Sequence, residues 1–120
     1  LMLPMLRTRY GRIINISSVA AIAGNRGQVN YAAAKAALHG ATKALAQEVA
    51  SRGVTVNVVA PGIIDSPMVE GLFDAETVAR MVPMKRMGTS QEVAALVAFL
   101  ASKDAGYITG QIISINGGMI

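Results

Sequence analysis

From Asn30 to Ser51 runs a stretch so rich in alanine that helix is the one regular structure that suits it. Alanine gives up no side-chain entropy on entering a helix. A short β-branched run stands on either side. Arg12–Ser17 holds Ile13, Ile14 and Ile16, and Val54–Ala60 holds Val54, Val56, Val58 and Val59. The almost continuous apolar run of Ile13, Ile14 and Ile16 marks a parallel strand covered on both faces, and Val54–Ala60 reads as a second strand. Thr89-Ser90-Gln91-Glu92 is a capping box, and it opens a second helix that buries Val93, Leu96, Val97 and Leu100 at helical spacing. Gln111–Asn116 reads as a third strand. Strand, helix, strand, helix, strand predicts part of a doubly wound parallel sheet in a three-layer α/β/α arrangement.

The connections carry their own signals. Leu1–Tyr10 reads as the tail of a helix, with Arg7 and Arg9 near its negative end and Gly11 as its stop. Gly53 is placed to end the long helix in the left-handed conformation. Ala23–Gln28 is a loop by its Gly and Asn content, and Ala105–Gly110 a turn. Val54–Ala60 empties into Pro61-Gly62, at the carboxyl edge where open α/β sheets bind ligands. Ile63–Met87 lacks strong periodicity and holds four of the seven methionines. Thioethers adapt to varied apolar shapes, so this stretch is expected to form a mobile flap over a greasy substrate. A loosely packed surface excursion is the plain alternative.

At 120 residues there is room for one domain. The absence of cysteine excludes disulfides and thiolate metal sites and fits a reducing, cytoplasmic setting. No apolar run reaches the roughly 18–20 residues of a membrane span, and Leu1–Leu6 is too short for a signal sequence. The net charge of +4 is scattered and lacks an aromatic stacking platform, which argues against a nucleic-acid partner. An acidic carrier protein or a phosphorylated cofactor suits the excess as well as a merely solvated surface does.

Tyr31 and Lys35 lie four apart on the alanine-rich helix and so share a face, one turn from each other. An ammonium beside a phenol favours the phenolate and makes a poor proton donor a usable one. Ser18 ends the Ile13–Ile16 run, where a strand would deliver its hydroxyl to the same place. Ser17 competes with it, since neighbouring strand residues point to opposite faces and only one hydroxyl can reach a cleft. A hydroxyl donor, an acid and a fixed cation suit protonation of an alkoxide formed by hydride transfer. His39, the only histidine, has no second metal ligand spaced to join it, and a surface or subunit-contact role is expected. No metal site is expected.

Ser18, Tyr31-x-x-x-Lys35, Asn57-Val58-Val59-Ala60-Pro61-Gly62 and Asn116-Gly117-Gly118 together resemble the short-chain dehydrogenase/reductase family, most of all its 3-oxoacyl-[acyl-carrier-protein] reductase branch. The resemblance implies a Rossmann-like fold of which residues 1–120 form one partial domain. The Gly-x-x-x-Gly-x-Gly dinucleotide turn is absent, so the N-terminal half is expected to be missing. It further implies catalytic roles for Ser18, Tyr31 and Lys35, with Lys35 also gripping the nicotinamide ribose. Cofactor contacts are implied for Pro61, Gly62, Ile64 (through its amide) and Ser66, and carrier-protein docking for Arg9 and Arg52. NADPH is the implied cofactor, with NADH left open. The implied reaction is reduction of a 3-keto acyl thioester on acyl carrier protein, in fatty acid biosynthesis. The implied assembly is a homotetramer built through the Tyr31–Lys35 helix and the C-terminal strand. Two alternatives stay open: a short-chain dehydrogenase acting on a sugar, a steroid or a coenzyme A thioester, and a non-catalytic assembly module.

Overall fold

Three parallel strands form the centre of the structure, a computed structural model that describes residues 1–120. They are β1 (Gly11–Ile16), β2 (Val54–Pro61) and β5 (Ile112–Ile115), in the spatial order β1-β2-β5. β1 meets β2 from Gly11 opposite Val54 to Ile16 opposite Val59, and β2 meets β5 from Val58 opposite Ile112 to Pro61 opposite Ile115. Strand β2 is the buried spine, because it alone has neighbours on both sides: every residue from Val54 to Ala60 is buried.

Alternation along the strands splits the core in two. On one side Val54 and Val56 pack with Ala46 and Val49 of helix α3 (Val29–Val49). Met2, Met5 and Leu6 of α1 (Met2–Thr8) close that cluster. On the other side Val59 packs with Leu100 of α5 (Ser90–Ala101) and with Ala105, flanked by Ile14, Val93, Leu96, Val97 and Ile113. The parallel sheet between two helical layers is the expected architecture. The capping box is also as expected: Thr89 Oγ1 accepts from the Glu92 amide at 3.1 Å, and Glu92 accepts from the Thr89 amide at 2.8 Å. Gly53 is left-handed at φ 71°, one short 3₁₀ turn (Ala50–Arg52) beyond α3.

Other expectations need correction. Arg9, not Gly11, ends α1, with φ 54° and ψ 36°. Gly11 instead opens β1, and its missing side chain makes room for Met5, whose sulfur would lie 2.7 Å from an added Cβ. Ile16 is 43% exposed, so the end of β1 is not covered on both faces. The stretch 63–87 is not free of regular structure. It contains β3 (Ile64–Asp65), a 3₁₀ turn (Pro67–Val69) and α4 (Ala75–Met81), whose N-cap Asp74 accepts from the Thr77 amide at 2.7 Å. Two tethers hold the stretch down. β3 pairs in parallel with β4 (Gly88–Thr89), and the Met84 amide donates to the Gly117 carbonyl at 3.1 Å. Val78 and Val82 are buried, while Met68 and Met84 remain largely exposed. A further short helix, α2 (Ala20–Ala23), follows β1.

Candidate active site

Residues 17–19 extend the β1–β2 ladder past the end of β1: the Ser17 amide donates to the Val59 carbonyl and the Val19 amide to the Pro61 carbonyl, both at 2.8 Å. This fixes the carboxyl edge that carries both serines. Their fates differ as alternation requires. Ser17 is 4% exposed and turned towards α3, where its Oγ lies 2.8 Å from His39 Nε2 and 3.2 Å from the Lys35 carbonyl oxygen. Ser18 is half-buried, and its Oγ accepts one bond, from the Ala20 amide at 3.2 Å. Its own O–H is uncommitted, which leaves it free to donate to a carbonyl oxygen.

Tyr31 sits in the first turn of α3, 45% exposed. Lys35 lies on the same face, with Nζ 5.9 Å from the centre of the Tyr31 ring. The Lys35 ammonium donates to the Ile16 carbonyl at 2.9 Å, anchoring the helix start to the end of β1. An ammonium has three donors, so two remain. The structure thus brings the phenol and the amine together, open to solvent, against the strand end that bears Ser18.

The residues expected to line a cofactor gather at the same sheet edge. Pro61 ends β2, and the Gly62 amide donates to the Ile115 carbonyl at 2.9 Å. Gly62 has no room for a side chain: an added Cβ would lie 2.8 Å from that of Asn116. Ile64 is in β3, and Ser66 precedes the 3₁₀ turn with its hydroxyl unbonded and half-buried. The two free donors of Lys35 fit the hydroxyls of a nicotinamide ribose, and the unbonded Ser66 hydroxyl is open to a phosphate oxygen of the same dinucleotide. The glycine turn that would grip the phosphates is not among these residues.

A cavity of about 320 Å³ opens on the α5 side of this edge, lined by Ile63, Ile64, Met84, Arg86, Glu92 and Asn116 among others. It does not include Ser18, Tyr31 or Lys35, and shares only Ile64 with the expected set. Arg86 donates to both Glu92 carboxylate oxygens, at 2.6 and 2.9 Å. That fork, with the Thr89 amide, pulls the Glu92 carboxyl down to about 2.

Arg9 and Arg52 lie at the amino ends of β1 and β2, the edge of the sheet opposite Ser18. Both are exposed, and Arg9 Nη2 donates to the Ser51 carbonyl at 2.8 Å, so the two cations share one locality. His39 meets Ser17 across the space between α3 and β1. It is half-buried, and its ring titrates below the ordinary imidazole range because burial, and then Lys43, disfavour the charged form. No helix is long and apolar enough to cross a membrane.

Comparison with known proteins gives this geometry a family. The model of a family described as enoyl-(acyl carrier protein) reductase matches residues 1–120. Nodulation protein G of Rhizobium sp. (strain N33) is 56% identical over 97% of the chain and 48% of its own length. The 3-oxoacyl-[acyl-carrier-protein] reductases of Salmonella typhimurium and Rickettsia prowazekii are 56% and 54% identical, over 96% and 97% of the chain. The matches cover 48% and 49% of those two enzymes, so the chain spans about half the length of the curated relatives it matches. With an α/β parallel sheet, the Ser18 and Tyr31-x-x-x-Lys35 constellation and a family model matched from end to end, the chain belongs to the short-chain dehydrogenase/reductase family.

Proposed function

We propose that this chain carries the carbonyl-binding and proton-transfer machinery of a nicotinamide-dependent oxidoreductase that reduces the 3-keto group of an acyl thioester. The observation that carries the reading is Lys35, whose ammonium lies 5.9 Å from the Tyr31 ring centre and bonds the Ile16 carbonyl, two residues before a Ser18 whose O–H is free. Ser18 donates to the substrate carbonyl oxygen and stabilises the charge that grows there. Tyr31 delivers the proton that converts the alkoxide to the alcohol. Lys35, its ammonium beside the Tyr31 ring, holds ribose hydroxyls with its two free donors. NADPH, when bound, supplies the hydride. Pro61, Gly62 and Ile64 would form the wall on which the nicotinamide end rests, with the Ser66 hydroxyl towards the pyrophosphate.

The matching family is described for enoyl reduction, in which hydride goes to a carbon–carbon double bond. Ser18 and Tyr31, a donor and an acid for one oxygen, suit a ketone better, and two of the relatives above carry the name 3-oxoacyl reductase. Residues 1–120 in this reading are part of one Rossmann-like domain, completed by a dinucleotide turn that they do not contain. The outer face of α3 exposes Ala33, Ala34, Ala37, Gly40, Ala41 and Ala44, a surface on which a second copy's backbone can approach closely, as a tetramer would need. A cytoplasmic setting goes with this chemistry.

In the complete protein, Tyr31→Phe is expected to remove at least about 10²-fold of kcat while NADPH binding, read by nucleotide fluorescence, persists. Near-normal turnover would overturn the assignment. Carrier docking at Arg9 and Arg52 is checked by Arg52→Glu, alone and with Arg9→Glu, because Arg9 also tethers Ser51. kcat/KM for carrier-bound substrate should fall by about tenfold or more per pair while small ketones are unaffected. Equal losses on both substrates would remove the docking role and leave sugar, steroid or coenzyme A substrates in play.

A further inference from the structure

Helix α3 is joined to strand β1 by a row of polar contacts where apolar packing would be ordinary. Asn15 Nδ2 donates to Thr42 Oγ1 at 2.9 Å. Ser17 Oγ sits between the Lys35 carbonyl and His39 Nε2. The Lys35 ammonium returns to the Ile16 carbonyl. The helix positions are 35, 39 and 42, one face over two turns. The strand positions are 15, 16 and 17, immediately before Ser18.

We propose that Ser17 and His39 are positioning residues that lock the register between the strand delivering Ser18 and the helix delivering Tyr31 and Lys35. The proposal rests on the reductase reading above. A serine hydroxyl has a single proton. Both contacts are satisfied at once in one arrangement: Ser17 donates to the Lys35 carbonyl, and His39 donates from Nε2 to Ser17 Oγ. The Lys35 carbonyl, which in an α-helix already accepts the amide of residue 39, has a second lone pair for this bond. Apolar side chains would hold the helix on the sheet equally firmly without specifying which turn meets which residue. Directional bonds, three of them part-buried, admit one register. The precision matters, because a one-turn slip displaces Tyr31 by about 5.4 Å, and errors near 1 Å can cost about 10²-fold in rate.

The test uses the complete enzyme with NADPH and a 3-ketoacyl thioester, and the variants Ser17→Ala, His39→Leu, His39→Gln and the double variant Ser17→Ala/His39→Leu. Glutamine places an amide nitrogen near the position of Nε2. Ser17→Ala and His39→Leu are each expected to lower kcat about tenfold with NADPH affinity and substrate KM within about twofold. The double variant should lose no more than either single one, since both break the same link. His39→Gln should recover most of the loss. Ring-nitrogen NMR of the ligand-free protein at neutral pH should show the His39 proton on Nε2, a readout independent of activity. A proton on Nδ1 would overturn the arrangement, because Ser17 would then donate to the ring. So would unchanged kcat in Ser17→Ala, or a glutamine variant as impaired as leucine. Those failures leave the reductase reading intact, whereas normal turnover of Tyr31→Phe removes both. If His39→Leu does not fold, Ser17→Ala and the NMR readout decide the matter.

Discussion

Two left-handed residues face each other at the amino edge of the sheet. Arg9 (φ 54°) precedes β1 and Gly53 (φ 71°) precedes β2, and a Cβ at Gly53 would run into the Arg9 carbonyl oxygen. The Arg9 guanidinium reaches across to Ser51 in the same place. Gly53→Ala must therefore accept both the left-handed penalty and a backbone clash. A loss of about 2–4 kcal/mol is expected, read by denaturant unfolding of the complete protein, with activity at saturating substrate little changed because Ser18 is at the far edge. A loss below about 0.5 kcal/mol would show that the contact relaxes freely. Gly53 was legible because a glycine after a long alanine helix is a local signal. The Ser17–His39 bond was not. It joins residues 22 apart, and no periodicity in either element announces a hydroxyl meeting a ring. Strand alternation did predict that the two serines must part, and it is Ser17 that the helix takes up.

At the scale of elements, the capping box of α5 is reinforced by the Arg86–Glu92 fork. Glu92 has an ordinary value of 4.5 when free and about 2 in the fold. A depressed carboxyl stabilises fully above its unfolded value and loses that contribution as pH falls from about 4.5 towards 2. The pair is exposed, so the effect should shrink in salt. Glu92→Gln keeps an acceptor for the Thr89 amide but loses the charge. Its Tm should be lower than that of the parent at pH 6, and the gap should narrow steadily as pH falls from about 4.5 towards 2. A gap that persists unchanged at pH 2.5 would mean the carboxylate charge contributes nothing. The motif Thr89–Glu92 announced this helix start because every group in it lies within one turn. Helix α4 and the β3–β4 pair escaped notice. The β3–β4 pair is short and ordered by remote contacts, Ile63 and Ile64 meeting Gly88, while α4 has a local cap in Asp74 but only seven residues, too few to show a periodicity.

Taken whole, the molecule exposes more surface than its mass should. Its accessible area is 7593 Å², against about 6,200 Å² for a compact monomer of 12.5 kDa. Its radius of gyration is 15.8 Å, against about 13.6 Å for a compact 120-residue domain. Part of the excess sits at the sheet margins, since β1 and β5 each have an edge with no strand beside it, and Ile16 lies half-open near one of them. That the strands are parallel was legible in near-continuous apolar runs such as Ile13–Ile16, but which strand would be the spine was not, because it depends on neighbours rather than on composition. Unpaired parallel edges with apolar flanks recruit further strands. The segment 1–120 expressed alone should therefore associate, eluting above its monomer mass with light scattering confirming the size. It should bind NADPH at least about tenfold more weakly than the complete protein, because Lys35 and Ser66 engage only part of the dinucleotide and the glycine turn that would grip its phosphates is not among residues 1–120. Ile16→Lys places a charge beside the open edge and should shift the segment towards monomer. A monodisperse, cooperatively melting monomer without that substitution would show that the sheet margins are already satisfied, and the partial-domain reading would fall.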